Sequence, residues 1–445
     1  MKNRLKLNAR QLCDLELILN GGFSPLKGFL SEKDYNSVLK DMRLTSGCIW
    51  PMPITLDVTE NFSKNVKLSE EIELTDLEGL PVASLIISDI WQPDKSIEAK
   101  AVFGTTDLKH PAVNYLYNTA NDFYVGGTVK KLSSIQHHDF SEFRFDPSEL
   151  KKQFQDLGWK NIVAFQTRNP MHRAHIELTL RAAKEVDAHI LIQPVVGMTK
   201  PGDVDYYTRV KCYKEVLKEL PNKSAKLSLL PLAMRMAGPR EALWHAIIRK
   251  NYGCTHFVVG RDHAGPGKDS SGEPFYGPYD AQRLVKEFEN EIGIKMVPFQ
   301  EMVYVEEGDQ YKTVAEVSGN ESVMRISGTQ FRQLLQSGQP IPDWFSYPGV
   351  IKQLRSITPP LNKRGFTVFF TGLSGAGKST LAKALMAKLL EKLNRPVTLL
   401  DGDLVRDNLS SELGFSKAHR DINIKRIGFV AAEITKHRGI AICAP

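Results

Sequence analysis

The sequence lacks the features of a secreted or a membrane protein. Its five cysteines, at positions 13, 48, 212, 254 and 443, are scattered and form no Cys-x-x-Cys pair, which favours reduced thiols over a disulfide framework. No run of 18 apolar residues occurs, so we expect no membrane-spanning helix. The first 20 residues contain Asp14 and Glu16 and no apolar core, so we expect no signal peptide. These absences predict a cytoplasmic protein.

Charge of one sign is not concentrated anywhere in the chain. The net charge is +7 over 445 residues, but no block of Lys and Arg with interleaved aromatics occurs, so we expect neither a nucleic-acid nor a membrane partner. Apolar residues make up 42% and charged residues 24% of the chain, as in ordinary globular proteins. The length of 445 residues predicts two to four domains. A diffuse positive charge is compatible with small anionic ligands.

Residues 166–175 concentrate polar side chains directly after an apolar run. The segment reads Gln-Thr-Arg-Asn-Pro-Met-His-Arg-Ala-His; it follows a predicted buried strand, Asn161–Phe165, and precedes a helical pattern that extends to Val186. Such a turn binds anions, because free backbone N–H groups and the positive end of the helix dipole point into it. Its guanidinium, amide and imidazole groups therefore predict a site for phosphate and for a phosphoryl-type transition state. Two histidines at this spacing are also typical of a plain helix face or a metal pair, but no nearby Cys or acidic pair supplies further ligands.

A second polar segment, Gly260-Arg-Asp-His-Ala-Gly-Pro-Gly267, follows the apolar run Thr255–Val259. Its glycines allow the backbone to pass close to a ligand, and Arg261, Asp262 and His263 offer donors and an acceptor. By itself, this segment would be interpreted as an ordinary Gly/Pro turn.

Together the two segments resemble a known enzyme family. His-x-x-His at a strand–helix junction is similar to the signature of the nucleotidyltransferase superfamily, and the longer string Gln-x-Arg-Asn-Pro-x-His-x-x-His resembles ATP sulfurylase (sulfate adenylyltransferase). The second segment is similar to the second nucleotide-binding loop of that family. Further segments resemble its landmarks: Gly21–Leu30, Gly272–Asp280, Ile326–Arg332 and Asp343–Pro348. In Ile326–Arg332, Ser327 or Thr329 can cap a helix and Arg332 lies one turn in, able to reach a phosphate.

The resemblance implies roles for individual residues. Gln166 and Arg168 would bind sulfate together with the backbone N–H of Ala264. Thr167, Arg168 and Asn169 stand at the catalytic positions of the family. The implied ATP-binding residues are Gln166, Arg168, Asn169, His172, His175, Gly260, Arg261, Asp262, His263 and Val303.

A third segment predicts a second ATP site. The predicted strand Phe366–Phe370 is followed by Gly372-Leu-Ser-Gly-Ala-Gly-Lys-Ser379 and a helix from about residue 378, which fits a P-loop in its strand–loop–helix context. The backbone at Gly372, Gly375, Gly377 and Thr380 would surround the ATP phosphates. Lys378 would neutralise β/γ charge, and Ser379 would hold Mg²⁺.

The residues after the P-loop are similar to adenosine 5′-phosphosulfate (APS) kinase. The strand Val397–Leu400 ends in Asp401-Gly-Asp403. By this resemblance Asp403 would assist the 3′-hydroxyl or the metal, and APS would be held by Arg406, Phe415, Arg420 and Asn423. After the predicted strand Gly439–Cys443, Ala444 stands where the family usually has Ser, so a phosphoserine is not available there. A complete kinase fold needs more than the 80 residues from Phe366, so we expect a truncated or remnant kinase domain.

These observations predict an α/β protein in three parts. Residues 1–145 are expected to form a β-rich domain, with strands at Ile49–Leu56, Glu71–Leu74 and Val82–Ile87; the resemblance implies a PUA-like barrel. Residues 146–355 alternate strand and helix, which predicts a Rossmann-like nucleotidyltransferase domain with a parallel sheet. Residues 356–445 are expected to form a partial P-loop kinase domain. The predicted later elements of the central part are strands at Ile190–Val196, Leu227–Leu232 and His256–Val259 and helices at Tyr206–Leu220, Arg240–Asn251 and Asp280–Ile292.

The resulting hypothesis is a multifunctional enzyme of sulfate assimilation that makes APS and diphosphate from ATP and sulfate, with APS kinase activity in the full-length parent. Two alternatives remain open. The P-loop segment could be a non-catalytic sensor of 3′-phosphoadenosine 5′-phosphosulfate (PAPS), as in fungal sulfurylases, whose P-loop is degraded. The central domain could transfer a nucleotidyl group to another acceptor. We expect Mg²⁺ with ATP and a homo-oligomer, and no zinc, because Lys268–Asp280 contains no cysteine.

Overall fold

The computed structural model describes residues 3–200, 202–298, 301–373 and 375–445. The chain divides into two compact units. The first comprises Met1–Arg325 and Pro342–Gln353, and the second comprises Ile326–Ile341 and Leu354–Pro445. In the part of the chain that the structure describes, no helix is long and apolar enough to cross a membrane.

The N-terminal part of the first unit is built on a six-stranded sheet. The strand order is β1-β4-β5-β6-β2, and β3 also pairs with β6. The elements are β1 (Arg4–Lys6), α1 (Ala9–Leu19), β2 (Gly28–Phe29), α2 (Glu32–Asp41), β3 (Leu56–Val58), α3 (Glu60–Asn65), β4 (Glu71–Thr75), β5 (Pro81–Trp91), α4 (Lys95–Phe103), α5 (Pro111–Asn118) and β6 (Phe123–Lys131). Five helices lie between these strands along the described residues, so this part contains more helix than the sequence predicted.

The predicted strand at Ile49–Leu56 is wrong. Strand β3 begins only at Leu56, and Ile49 forms an isolated bridge with Arg43. Pro51 and Pro53 interrupt this run, and proline cannot donate to a sheet ladder. The apolar side chains of the run are nevertheless buried, which explains why the pattern resembled a strand.

The central part of the first unit contains the parallel sheet that the sequence predicted. Its order is β11-β10-β7-β8-β9, and every neighbouring pair is parallel. After a short 3₁₀ turn at Ser141–Phe143, the elements are α6 (Pro147–Asp156), β7 (Ile162–Phe165), α7 (Arg173–Glu185), β8 (His189–Ile192), α8 (Tyr206–Glu219), β9 (Ala225–Leu227), α9 (Gly238–Asn251), β10 (His256–Val259), α10 (Asp280–Ile292) and β11 (Lys295–Pro298).

Two strands of this sheet are shorter than predicted. The predicted strands Ile190–Val196 and Leu227–Leu232 shrink to β8 and β9, and beyond them only Val195 and Leu230 form a bridge. Pro194 and Pro231 interrupt both runs, for the same reason as above. The helices α8, α9 and α10 lie within two residues of their predicted limits.

The order of the strands creates a topological switch point in this sheet. From β7 the chain proceeds through β8 to β9 on one side, whereas β10 and β11 lie on the other side of β7. The carboxyl ends of β7 and β10 are therefore neighbours where the winding reverses. Open α/β sheets bind ligands at such a point.

A small antiparallel sheet completes the first unit. Its order is β13-β12-β14, formed by β12 (Met302–Val305), β13 (Gln310–Thr313) and β14 (Val323–Met324). The unit is organised around a continuous apolar core that includes residues of both larger sheets. In this core the Phe23 ring lies 5.7 Å from the Trp50 ring and 5.1 Å from the Trp244 ring.

The second unit contains the predicted P-loop strand and helix. Its three-stranded parallel sheet has the order β15-β17-β16, and the central strand is buried along its length. The elements are α11 (Gly328–Ser337), α12 (Pro348–Ile357, which begins in the first unit), a 3₁₀ turn (Leu361–Lys363), β15 (Phe366–Phe369), α13 (Lys378–Lys392), β16 (Val397–Asp401), α14 (Gly402–Leu409), α15 (Lys417–Lys436) and β17 (Ile440–Ala444). Ser327 caps α11 as predicted, because its hydroxyl accepts from the Gln330 N–H.

Candidate active sites

The first loop, defined as residues 166–172, leaves the carboxyl end of the central strand β7 and enters α7. The Thr167 hydroxyl donates to the Asn169 carbonyl at 2.9 Å and accepts from the Asn169 N–H at 3.0 Å, so the loop closes on itself. The buried Tyr213 hydroxyl supports it from α8 by donating to the same carbonyl at 2.8 Å. These contacts hold the loop backbone in one conformation at the switch point.

Arg168 is ion-paired. Its Nη1 lies 2.7 Å from both carboxylate oxygens of Asp203. Asp203 also accepts from the Lys200 N–H at 3.2 Å, and Lys200 Nζ donates to the Pro266 carbonyl at 2.8 Å. The segment that contains Lys200 and Asp203 therefore contacts both the first loop and the Gly260–Gly267 segment.

His172 and His175 form a hydrogen-bonded start to α7. The His172 N–H donates to His175 Nδ1 at 3.2 Å, and His172 Nδ1 lies 2.8 Å from the Ser346 hydroxyl. Burial, together with the neighbouring His175, lowers the pKa of His172 to about 3. Burial also lowers the pKa of His175. Both imidazoles are therefore neutral near pH 7 and can offer hydrogen bonds but no full positive charge.

The second loop, defined as residues 260–267, leaves the neighbouring strand β10. Asp262 and Ala264 adopt left-handed backbone conformations, with φ of 52° and 53°. Non-glycine residues rarely adopt this conformation, and it costs energy that the surroundings must supply. Gly265 N–H closes the turn onto the Asp262 carbonyl at 3.0 Å, and Gly238 N–H donates to the Ala264 carbonyl at 3.3 Å.

The two loops leave the neighbouring parallel strands β7 and β10, and Asp203 and Lys200 link the Arg168 guanidinium to the Pro266 carbonyl. The pKa of His263 lies well below its ordinary value because of burial and the positive field of neighbouring groups, among them Arg168. Arg261 is exposed and lies 3.5 Å from Glu301. Val303 lies in β12 and is buried, with its backbone paired to Lys312. The structure thus brings the residues of both predicted loops to one edge of the parallel sheet.

A separate cavity of about 660 Å³ lies in the second unit. Every residue that the sequence assigned to the kinase site lines it: Gly372, Gly375, Gly377, Lys378, Ser379, Thr380, Asp403, Arg406, Phe415, Arg420 and Asn423. Ser374, which belongs to the same motif, lies outside the described residues. Ala444, which occupies the usual Ser position, also lines the cavity.

Side-chain contacts organise this cavity. Lys378 Nζ donates to the carbonyls of Gly372 and Leu373 at 3.0 and 3.2 Å, so the ammonium group is held over the loop that it follows. The Arg406 guanidinium lies 4.2 Å from the centre of the Phe415 ring. A planar cation stacked on an exposed aromatic ring suits a ligand that combines a flat base with an anion.

Comparison with known proteins identifies the family. Residues 141–357 match the model of the ATP-sulfurylase family, residues 1–134 match that of the PUA-like domain, and residues 364–445 match that of adenylylsulphate kinase. A sulfate adenylyltransferase of Chaetomium globosum is 55% identical over 444 residues, which cover 99% of this chain and 77% of that protein. The chain belongs to the sulfate adenylyltransferase family.

Other relatives agree. A sulfate adenylyltransferase of Yarrowia lipolytica is 54% identical over 442 residues, 99% of this chain and 77% of that protein. The solved structure of a hexameric APS kinase from Thiobacillus denitrificans superimposes with a TM-score of 0.85 at 38% identity, and covers 100% of this chain and 81% of that one. The resemblances to ATP sulfurylase and APS kinase, and the predicted fold class, are confirmed.

Both matched enzyme families use ATP, and such enzymes generally act on a metal complex of the nucleotide. Among the described residues no group of three or more His, Cys, Asp or Glu side chains is arranged to hold a metal ion.

Sequence reasoning missed several residues that the structure places beside the two loops. Asp203 belongs to no motif that we recognised, and Ser346 lies in the Asp343–Pro348 segment without a predicted role. Only the folded chain brings them to Arg168 and His172. Glu241 and His245 lie one turn apart on α9, a spacing that could have drawn attention to them. Their pattern was obscured because α9 is buried on nearly all sides.

Proposed function

We propose that the first unit transfers the adenylyl group of ATP to sulfate, which forms APS and diphosphate. The observation that supports this proposal best is that the first and second loops lie side by side at the switch point of the parallel sheet. Membership of the sulfate adenylyltransferase family supports the substrate assignment.

The chemistry requires mutual repulsion between two anions to be overcome. Sulfate is a weakly basic dianion without a proton to lose at neutral pH, so no general base is needed. The site must instead neutralise charge and align sulfate with the α-phosphorus. In our proposal, Gln166, Arg168 and the backbone N–H of Ala264 bind sulfate, and Thr167 and Asn169 help to stabilise the pentavalent phosphorus.

Other groups bind the nucleotide in this proposal. The neutral imidazoles of His172 and His175 donate hydrogen bonds to the ATP phosphates and to the departing diphosphate. Residues 260–263 and Val303 contact the nucleotide. The ion pair with Asp203 holds the Arg168 guanidinium before substrate arrives, so sulfate must share that guanidinium or replace the carboxylate.

A direct assay tests the sulfurylase proposal. The chain is incubated with ATP and pyrophosphatase, and phosphate release is measured with and without sulfate. We expect sulfate-dependent release, together with formation of APS. Release that does not depend on sulfate, or transfer of AMP to a different acceptor only, would contradict the proposal.

We infer a second activity for the second unit, namely transfer of the γ-phosphoryl group of ATP to the 3′-hydroxyl of APS. The residues that line the 660 Å³ cavity support this assignment. Lys378 neutralises phosphate charge, Asp403 lies near the hydroxyl to be phosphorylated, and Arg406 with Phe415 holds APS. There is a chemical reason to combine the two activities in one chain. Formation of the phosphosulfate anhydride from ATP and sulfate is thermodynamically unfavourable, and phosphorylation of APS removes the product and so shifts the equilibrium towards APS formation.

The kinase site has groups that fit Mg²⁺. Ser379 offers a hydroxyl, and Asp401 Oδ2 is buried without a hydrogen-bond partner among the described residues. An unpaired buried carboxylate oxygen beside a phosphate loop suits a hard cation. When bound with ATP, Mg²⁺ would offset phosphate charge; Lys378 and the loop backbone orient the phosphates.

The competing interpretation, a non-catalytic PAPS sensor, differs in one measurable respect. Lys378 and Ser379 are intact, which favours the kinase. Incubation with ATP and APS separates the two: PAPS and ADP indicate the kinase, whereas sigmoidal sulfate kinetics in the presence of PAPS, without APS phosphorylation, indicate the sensor.

We also propose that the chain forms homo-oligomers. A structural relative is described as hexameric. Light scattering after size-exclusion chromatography tests this, and a single species at the monomer mass of 50.0 kDa would contradict it.

A further inference from the structure

A row of three ionisable side chains leads from helix α9 to the second loop. His263 Nδ1 lies 3.4 Å from the Gly260 N, and His263 Nε2 lies 3.0 Å from His245 Nδ1. His245 Nε2 then lies 3.3 Å from Glu241 Oε1. Glu241 and His245 are fully buried, and the row ends in the loop assigned to nucleotide and sulfate.

The contacts determine where the protons lie. A backbone N–H can only donate, so His263 Nδ1 must be the unprotonated, accepting nitrogen. His263 therefore carries its proton on Nε2 and donates it to His245 Nδ1. His245 then carries its own proton on Nε2, where it faces the Glu241 carboxylate. The row therefore has one arrangement of protons, in which the His245 Nε2–H lies 3.3 Å from Glu241 Oε1 without the alignment of a hydrogen bond.

Glu241 is fixed as an anion by its own partners. Its two oxygens accept from the backbone N–H groups of Arg235 at 3.0 Å and of Ala237 at 2.8 Å. Burial opposes ionisation, but two N–H donors on the two carboxylate oxygens favour the anion. Burial lowers the pKa of His245 and of His263, so both rings stay neutral.

We propose that His245 and Glu241 are positioning residues, which hold His263 as its Nε2–H tautomer and thereby fix the left-handed backbone of Asp262 and Ala264. In the other tautomer, His263 Nδ1 would carry a proton that faces the proton of the Gly260 N–H. The hydrogen bond that joins Gly260 and His263 within the second loop would then be lost. The Ala264 N–H would then lose the direction that sulfate binding requires. This last step rests on the proposed sulfurylase function, whereas the tautomer does not.

Two substitutions of His245 separate its hydrogen-bonding role from its packing role. Asn places an acceptor where Nδ1 stands and keeps the partner of His263, whereas Leu fills similar space without an acceptor. Each variant is examined by ¹⁵N NMR of histidine rings, with the His263 signals assigned from the spectrum of His263→Gln. Sulfurylase kinetics and thermal melting are measured in parallel.

We expect wild type and His245→Asn to show His263 protonated at Nε2 and unprotonated at Nδ1, with kcat/KM within about tenfold of each other. In His245→Leu we expect mixed tautomers and a kcat/KM about a hundredfold lower, the cost of a displaced catalytic loop. A proton on His263 Nδ1 in the wild type overturns the proposal. The same His263 tautomer and the same kcat/KM in His245→Asn and His245→Leu would also overturn it.

The NMR result separates this proposal from the proposed function. If NMR shows the expected tautomer but the chain has no sulfate-dependent activity, the positioning role is supported and the sulfurylase proposal is contradicted. If His245→Leu does not fold, the wild-type and His245→Asn spectra still decide the tautomer.

Discussion

At the scale of single residues, the proposed sulfurylase site obtains its positive charge and its hydrogen bonds from different side chains. Its two helix-start imidazoles are neutral, because burial lowers the pKa of His172 to about 3 and also lowers that of His175. Positive charge at the first loop therefore comes from Arg168, which Asp203 holds in place. Two neutral hydrogen-bond donors and one oriented guanidinium suit a site that must bind anions and also release them.

Replacement of Arg168 by Ala tests the guanidinium. We expect the activation free energy of sulfate-dependent diphosphate release to rise by about 3 kcal/mol or more, with a corresponding fall in kcat/KM. The reason is that the negative charge of the transition state loses its positive partner. Arg168→Lys should lose less, since it keeps a charge but not the planar fork. Arg181→Ala is the control: this exposed arginine of α7 pairs with Glu316. Near-normal turnover in Arg168→Ala would count against the proposed site.

The neutral His172 predicts a pH dependence of stability. Its folded pKa of about 3 lies below the unfolded value of about 6.5, so between these pH values the unfolded state binds more protons. The free energy of unfolding should therefore fall as the pH drops below about 6.5. In His172→Asn, which keeps an acceptor for Ser346, that slope should be shallower by up to about 1.4 kcal/mol per pH unit.

Urea denaturation at pH 7 and pH 5 measures this slope. His138→Asn, at an exposed histidine, is the matched control and should keep the wild-type slope. An unchanged slope in His172→Asn would show that His172 does not remain neutral in the folded protein.

At the scale of secondary structure, the ends of elements position the site. Strands β7 and β10 deliver the two loops side by side, and helix α9 begins directly behind the second loop. Gly238, the first residue of α9, has a φ of 50°, and its N–H donates to the Ala264 carbonyl. A Cβ at this position would lie 2.4 Å from the Tyr276 ring.

Gly238→Ala should therefore disturb both stability and function. We expect a loss of about 1–3 kcal/mol from the left-handed backbone alone, and a higher KM for sulfate because the Ala264 turn shifts. Thermal melting and steady-state kinetics measure the two effects. Gly319→Ala is the control, because a Cβ there meets nothing within 4 Å; equal behaviour of the two variants would contradict the assigned role of Gly238.

At the scale of the whole molecule, each proposed site is built from residues of its own unit. Arg168 and its partners lie in the first unit, and the P-loop cavity lies in the second. Because neither proposed site contains a residue of the other unit, the two activities should be separable by mutation.

Lys378→Ala provides the separation. We expect the rate of PAPS formation from ATP and APS to fall at least about a hundredfold, since the β/γ-phosphate charge loses its partner. Sulfate-dependent diphosphate release should stay within about twofold of wild type. Arg168→Ala should show the reverse pattern. Loss of both activities in either variant would show that the sites are not independent.

Local chemistry could be predicted from the sequence because it depends on neighbouring residues. The first and second loops, the P-loop and its helix, and the cap at Ser327 each follow from residues close together in the chain. The predicted parallel sheet likewise followed from alternating apolar runs. The strands at Ile49–Leu56 and Leu227–Leu232 were predicted wrongly because burial makes a run apolar whether or not its backbone can pair, and proline prevented the pairing.

Contacts between distant residues were decided only by the tertiary structure. Asp203 reaches Arg168, Ser346 reaches His172, and the row from Glu241 to His263 joins a helix to a loop. The protonation of the histidines was decided there too, because burial that removes water from an imidazole is a property of the packed fold. The amino-acid sequence therefore determined which groups are available for the chemistry, and the fold determined which of them meet and in which charge state.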